Sequence, residues 1–400
     1  MQTWEYAPKF ALRTYAYLFP MAAVAKCFQY LLGCLPPAFV HQLSTLLLLA
    51  PQAATKMDGV LIAPQDNKPL LFAMLRSFLA LISCYSELSF LDAIHEVVGP
   101  TVAHWAAIFS LTAAGNFHSS QAFLPSSSVM ILWRLSASNQ LKENYGFAIF
   151  WGLVAVLAVG WPFCAVLFIS TGLLAIWKAS GLDFVSRRNW RNNFQFSSVM
   201  MLLLRTILHS IAIQAFVMAI DYHFYGRIVS PTWNIFVYNA QSGGDELYGV
   251  EPLSYYIKNL LLNFNFVALL GVLSLPIIMV KKLVERFFSV AFDNDHKMCN
   301  SVEVLVLAPM YMWMAIVFSR PHKEERFLFP IYPMLCFGAA ITMREAICLA
   351  SKLLSLLLRS KQRKQKSRGN IQLLLGLTLL FPSIAISVSR SFAVYHYYSA

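Results

Sequence analysis

Residues 145–177 read YGFAIFWGLVAVLAVGWPFCAVLFISTGLLAIW, a run of 33 residues without one charged side chain. As a single helix rising about 1.5 Å per residue it would reach roughly 50 Å, well beyond the ~30 Å of a hydrocarbon core. Gly160-Trp161-Pro162-Phe163 stands at its middle, and proline there has no N–H for the helical ladder. The spacing therefore predicts two short helices, 145 to 160 and 162 to 178, that cross and recross a bilayer.

The same pattern extends outward in both directions. Further apolar spans are expected at 70 to 90, 101 to 116, 122 to 140, 197 to 220, 258 to 280, 301 to 319, 327 to 349 and 371 to 395. That makes about ten in an all-α, polytopic membrane protein. Composition agrees: the chain is 58% hydrophobic and 12% charged, about half the charge of a soluble domain. Residues 14 to 55 are apolar too, but Pro20, Pro36, Pro37 and Pro51 interrupt them, so an interfacial or re-entrant segment is expected.

The net charge of +12 does not point to nucleic acid, because the basic residues collect in the joints between spans and are not interleaved with aromatics along one face. Positive joints are held on the cytosolic side. Lys352 to Arg368, the Arg187-Arg188-Arg191 joint and the Lys281-Lys282-Arg286 joint all fall on one side of the span list. The joints 117 to 128, 221 to 257 and 319 to 326 then face the other, lumenal side. Asp92 and Glu96 are an acidic exception on the cytosolic side. Seven scattered cysteines with no CxxC pair predict neither a metal site nor a disulfide framework.

The densest ionisable cluster is Arg320-Pro321-His322-Lys323-Glu324-Glu325-Arg326, four cations and two carboxylates in seven residues. At a membrane edge such a set suits an amphiphilic phosphate, with Arg326 offering a planar fork and Lys323 a point charge. A self-neutralising loop whose long side chains snorkel to water is an equal reading from chemistry alone.

The segment PHKEERFLFP, 321 to 330, resembles the HKExRF hallmark of the dolichyl-phosphate-mannose-dependent mannosyltransferases of the GT-C fold. Glu325 resembles the α-1,2 branch acting on lipid-linked oligosaccharide, whereas the glycolipid-anchor branch, the alternative, tends to carry an aromatic there. Thr3-Trp4-Glu5-Tyr6, Leu12 to Tyr17, Phe123 to Ser127 and Gly160 to Phe163 follow in the family's order. So do Tyr225-Gly226, Asn234, Tyr238-Asn239, Leu247-Tyr248-Gly249 with Glu251, and Leu262 to Asn265.

The resemblance implies a GT-C membrane core in the endoplasmic reticulum, active face lumenal. Mannose would pass from dolichyl-phosphate mannose to the 2-hydroxyl of a lipid-linked oligosaccharide, with no cofactor. It implies His322, Lys323 and Arg326 on the donor phosphate, Glu324 and Glu325 orienting them, and Tyr225, Asn239, Tyr248, Gly249 and Glu251 in an acceptor loop. Residues 1 to 69 are expected as a lumenal or interfacial segment with an insertion at 31 to 66, and 70 to 400 as the multi-span core.

The family's acidic Asp-Glu pair, its usual catalytic base, precedes the segment matching TWEY. The chain is therefore expected to be truncated at both ends, and no base is assigned. An inactive truncated form is one alternative. A transporter, with Arg76, Arg205 and His209 lining a pathway, is another.

Overall fold

The computed structural model describes residues 4–36, 38–40, 42, 68–181, 195–240, 249–288, 299–358 and 381–393. Most of the expected insertion, the Arg187-Arg188-Arg191 joint, the basic stretch 359 to 368, Thr3 and Tyr248 lie outside these residues. All regular elements among them are helical.

After two 3-10 turns, Trp4–Tyr6 and Tyr15–Tyr17, helix α1 spans Phe19–Cys34. Pro20 stands in its first turn, where the missing N–H has no helical partner to lose, so it starts a helix where the sequence suggested a break. Then come α2 (Lys68–Val97), α3 (Pro100–Thr112), α4 (Ala114–Ser120), α5 (Pro125–Leu141) and α6 (Tyr145–Leu153), which runs on through a π-turn to Ala158. A 3-10 stretch, Pro162–Phe168, leads into α7 (Ile169–Ala179). Helices α8 (Phe196–Tyr225), α9 (Pro231–Ala240), α10 (Leu253–Phe264), α11 (Phe266–Phe288) and α12 (Cys299–Ser319) follow. A 3-10 turn, Glu325–Ile331, opens α13 (Tyr332–Leu358), and residues 381–393 form α14.

Six of these segments are long and apolar enough to cross a membrane: Lys68–Val97, Pro162–Ala179, Phe196–Tyr225, Phe266–Leu283, Val302–Ser319 and Glu325–Leu349. The other expected spans are shorter, interrupted or only partly within the described residues. The 101 to 116 run breaks at Ala113, whose backbone is extended. The 258 to 280 run breaks at Asn265, with φ of 52°. Residues 371–380 are not described.

The core is organised around α13. Of the most apolar stretch of Glu325–Leu349, 89% is buried, against 6% for α8 at the periphery. Helix α13 packs closely on α11 because both carry glycine at the crossing. A Cβ at Gly271 would meet the Leu335 carbonyl at 2.6 Å, and one at Gly338 would meet Ser274 Oγ at 2.7 Å. Small residues permit such approaches between helices in lipid, where dispersion contacts and hydrogen bonds replace the hydrophobic effect. Pro276 inside α11 frees the Val272 carbonyl from the ladder. The Tyr311 hydroxyl of α12 donates to that carbonyl at 2.8 Å, so the kink leaves no orphaned acceptor there.

The two ends of the bundle differ. One is built from the N-termini of α5 and α13 and the C-termini of α8 and α12. At the other, Lys142 pairs with Asp92 at 2.6 Å and Glu96 at 3.1 Å, and Lys178 pairs with Glu143 at 2.6 Å. The acidic exception noted in the sequence thus shares a lysine about 50 residues later in the chain.

Candidate functional site

The N-terminal segment is held across the first end of the bundle by buried polar contacts. Thr14 Oγ1 donates to Asp221 of α8 at 3.1 Å, and the Tyr15 amide donates to the same carboxylate at 2.7 Å. The Tyr225 hydroxyl donates to the Arg13 carbonyl at 2.7 Å, and Asn234 Nδ2 to the Ala11 carbonyl at 3.1 Å. Tyr17 stacks on Phe123, ring centroids 4.8 Å apart, which ties the segment to the start of α5. Gly160, at φ +71°, completes the seat: a Cβ there would lie 2.9 Å from Thr14 Cγ2. The turn directs Trp161 inward, edge-on to Trp313 at 5.3 Å.

These contacts enclose a cavity of about 640 Å³. Sequence-distant stretches converge on it: Trp4 and Glu5, Leu12 and Arg13, Pro125 and Ser126, Trp161 and Phe163, Tyr238 and Asn239, and the charged cluster with Arg320, His322, Glu324, Arg326 and Phe327. Trp4, Trp161, Tyr238, Trp313 and Phe327 supply aromatic walls. Trp313 Nε1 donates to the Phe327 carbonyl at 2.7 Å, which fixes the floor. The N-terminus of α5 opens into the cavity, and Ser126, 3% exposed, has a buried hydroxyl without a partner. A helix N-terminus with an unused hydroxyl beside it favours an anion.

The charged cluster divides by direction. His322 and Arg326 face the cavity and share Glu324: His322 Nε2 lies 2.9 Å from Oε1, Arg326 Nη2 lies 2.8 Å from Oε1, and Arg326 Nε pairs with Oε2. His322 Nδ1 is 3.1 Å from the Gly249 carbonyl. Both ring nitrogens thus lie within hydrogen-bond distance of oxygen atoms. Burial pushes the Glu324 carboxyl up, but the hydrogen bonds from His322 and Arg326 outweigh it and hold the group below the ordinary range. Arg320 Nη2 reaches the Asn239 carbonyl at 3.4 Å, and Glu5 pairs with Arg13 at 3.2 Å.

Lys323 and Glu325 point elsewhere. The Lys323 ammonium, 8% exposed, donates to the Glu251 carbonyl at 2.9 Å and also to the Arg320 carbonyl, so it clamps the loop and does not line the cavity. Glu325 Oε1 accepts from Asn263 Nδ2 of α10 at 2.7 Å. Of the expected acceptor loop, Asn239 lines the cavity. Tyr225 is buried under Arg13, and Gly249 and Glu251 contribute backbone groups to His322 and Lys323. Sequence reading left Arg13, Arg320 and Ser126 without a role. Arg13 and Ser126 sat inside quoted motifs, and Arg320 opened the cluster, so the signal was present but its direction was not.

Fold and site define a multi-pass, membrane-embedded protein with a cationic, aromatic-walled cavity at one end, suited to an anionic ligand that carries rings. The chain belongs to the Alg9-like mannosyltransferase family, whose profile matches residues 1–400. It is 32% identical to the human α-1,2-mannosyltransferase ALG9 over 99% of this chain and 55% of that protein. It is 30% identical to the Drosophila melanogaster α-1,2-mannosyltransferase Alg9 over 100% of this chain and 55% of that protein. The chain thus spans about half the length of the curated relatives it matches. Among solved structures, the archaeal oligosaccharyltransferase AglB from Archaeoglobus fulgidus, in complex with an inhibitory peptide and a dolichol-phosphate, aligns with a TM-score of 0.46 at 12% identity, covering 80% of this chain and 45% of that one.

Proposed function

We propose that this chain carries a membrane core for α-1,2-mannosyl transfer, with dolichyl-phosphate mannose as donor and lipid-linked oligosaccharide as acceptor. On this reading the arrangement is a GT-C core in the endoplasmic reticulum membrane and the cavity end is lumenal. The observation that carries it is the convergence of Arg13, Ser126 and Trp161 with Arg320, His322, Glu324 and Arg326 on one cavity.

In the reaction the acceptor 2-hydroxyl oxygen forms a bond to the anomeric carbon. The bond from that carbon to the phosphate oxygen breaks, its electron pair leaves with dolichyl phosphate, the hydroxyl proton is released to water, and the configuration inverts. Negative charge grows on the phosphate as this happens, so fixed cations stabilise the transition state. Arg326, His322 and Arg320 take that role here. Glu324 holds Arg326 and His322 in place, and Lys323 holds the loop that presents them. Glu5 is committed to Arg13 and is read as orienting that guanidinium; no group is assigned as the base. Glu325 is read as a link between the loop and α10.

The test is mannose transfer from dolichyl-phosphate mannose to purified lipid-linked oligosaccharide, using membranes of cells that lack the endogenous enzyme and express this chain. Transfer that Arg326→Ala reduces while protein level holds is the expected result. A folded, monodisperse chain that neither transfers mannose nor binds dolichyl phosphate would overturn the proposal.

A further inference from the structure

A second cavity, about 910 Å³, opens between α6, α7 and α8 and contains none of the residues of the candidate site. Phe147, Phe150, Met201 and Leu202 form apolar walls, while Ser197, Ser198, Arg205 and His209 gather along α8. The Lys178 ammonium at its rim is already paired with Glu143, and the His209 ring packs edge-on to Phe150 at 5.9 Å. Among the described residues no hydrogen bond or ion pair engages the Arg205 guanidinium. Arg76, the third polar residue singled out in the spans, lies on α2 over the Phe72 ring and does not line this cavity, so the three form no common pathway.

Depth decides what Arg205 can meet. Tyr225 marks the candidate-site end of α8, and Arg205 lies about 30 Å from it along the helix axis. That distance is roughly the thickness of the hydrocarbon core, so Arg205 stands near the opposite membrane edge. Side chains on a helix lean toward its N-terminus, and a long arginine snorkels. Both effects carry the guanidinium toward Ser197 and Ser198 and the phosphate level of that leaflet. An unpaired arginine facing hydrocarbon is costly, and α8 is the least covered of the spans. A ligand with an anionic head and an apolar tail satisfies every part of this groove.

We propose that the groove holds an anionic glycerophospholipid of the leaflet opposite the candidate site. Its phosphate sits on Arg205 and the Ser197 hydroxyl, the Ser198 hydroxyl donating to Gln195 Oε1 at 3.2 Å, and one acyl chain runs along Phe147, Phe150, Met201 and Leu202. A polyisoprenyl phosphate is disfavoured as occupant, because the cation-lined candidate site lies at the other edge.

The experiment is native mass spectrometry of the full chain released from nanodiscs containing phosphatidylserine and phosphatidylcholine, with the bound lipid identified by fragmentation. The wild type is expected to retain one phosphatidylserine in preference to phosphatidylcholine. Arg205→Gln is expected to lower its occupancy ~10-fold, the scale of losing one charge-assisted hydrogen bond. Should Arg205→Gln fail to fold, Gly146→Trp decides. A Cβ at Gly146 meets nothing within 4 Å, so the indole fills the groove without altering charge and is expected to expel the lipid. Equal retention by the wild type and the folded variants, no headgroup preference, or recovery of an endogenous polyisoprenyl phosphate in place of the phosphoglyceride would each overturn the proposal.

Discussion

Two charged regions of this molecule use the same residue types in different surroundings, one closed inside the bundle and one lining a cavity. Inside the bundle, about 18 Å along α13 from Tyr332, Arg344 makes a forked pair with Glu303, Nη1 to Oε1 at 2.6 Å and Nη2 to Oε2 at 3.0 Å. Lys281 pairs with Glu345 at 2.9 Å, and Arg344 also reaches Glu345 at 2.7 Å. Two cations thus close on two carboxylates, and Glu303 is fully buried. At the cavity, the described lining brings Arg13, Arg320, Arg326 and His322 together with the carboxylates of Glu5 and Glu324. Interior charge persists where it is matched, since an uncompensated ion in low dielectric is expensive. The cavity charges stand at the membrane edge and line open space, where an anionic ligand can reach them.

The largest expected effect is in the interior. Arg344→Leu leaves the Glu303 carboxylate buried without its partner, which costs about 3–5 kcal/mol. In detergent this variant should lose most of its monodisperse yield or melt far below the wild type. Arg344→Leu with Glu303→Leu should recover most of that loss, because removing both charges removes the penalty. A single variant as stable as the wild type would break the contrast by showing that the interior network is not structural.

Next in size is an effect on activity. Arg326 keeps 40% of its side chain exposed, so Arg326→Ala should leave melting nearly unchanged. Mannosyl transfer should fall ~10- to 100-fold, the scale of losing a hydrogen bond to a charged group in the transition state. Arg326→Lys keeps the charge and loses the fork, and should fall between. Transfer by Arg326→Ala equal to wild type would remove Arg326 from the phosphate site.

The sequence exposed the site's location better than the interior's pairing. The apolar run at 145–177 and its break at Gly160 to Phe163 were readable because periodicity and proline act locally. The 320–326 cluster was readable because its charge density exceeds what a turn needs. Arg344 and Glu303 were not, since both sit within long apolar runs, Arg344 with only Glu345 beside it, and their pairing joins residues 41 apart. The same holds for Arg134, which pairs with Glu87 and donates to Ser83 Oγ at 3.0 Å. The break at Asn265 was hidden because apolar residues continue on both sides of it, and its side chain is held by residues far along the chain, Ser387 Oγ at 3.2 Å. Side-chain direction within the cluster was equally invisible, because backbone carbonyls contributed by other segments decide where Lys323 points.

Lys323 sharpens the comparison from the site's own side. As a clamp on the Glu251 and Arg320 carbonyls, it belongs with the structural charges although it sits among the functional ones. Lys323→Met should therefore cost about 1–2 kcal/mol of stability, with any loss of transfer following the lower melting temperature. Unchanged melting together with a raised KM for the donor would return Lys323 to the phosphate.

The smallest expected effect concerns Glu324. Burial opposes its ionisation, and the hydrogen bonds from His322 and Arg326 overcome that and hold the carboxyl below its ordinary range. A depressed carboxyl contributes stability that is complete above the unfolded value, near ~4.3. That contribution is lost as pH falls through the lower folded value. Wild-type melting temperature should therefore drop somewhat more steeply below about pH 4.5 than that of Glu324→Gln. The difference should be small, because the carboxylate is 32% exposed and solvent screens it. Added salt should shrink it further, while the buried Arg344 network should respond far less. Parallel acid limbs at low salt would mean that Glu324 is not held by His322 and Arg326 in the folded chain, and the cavity would then carry its cations unanchored.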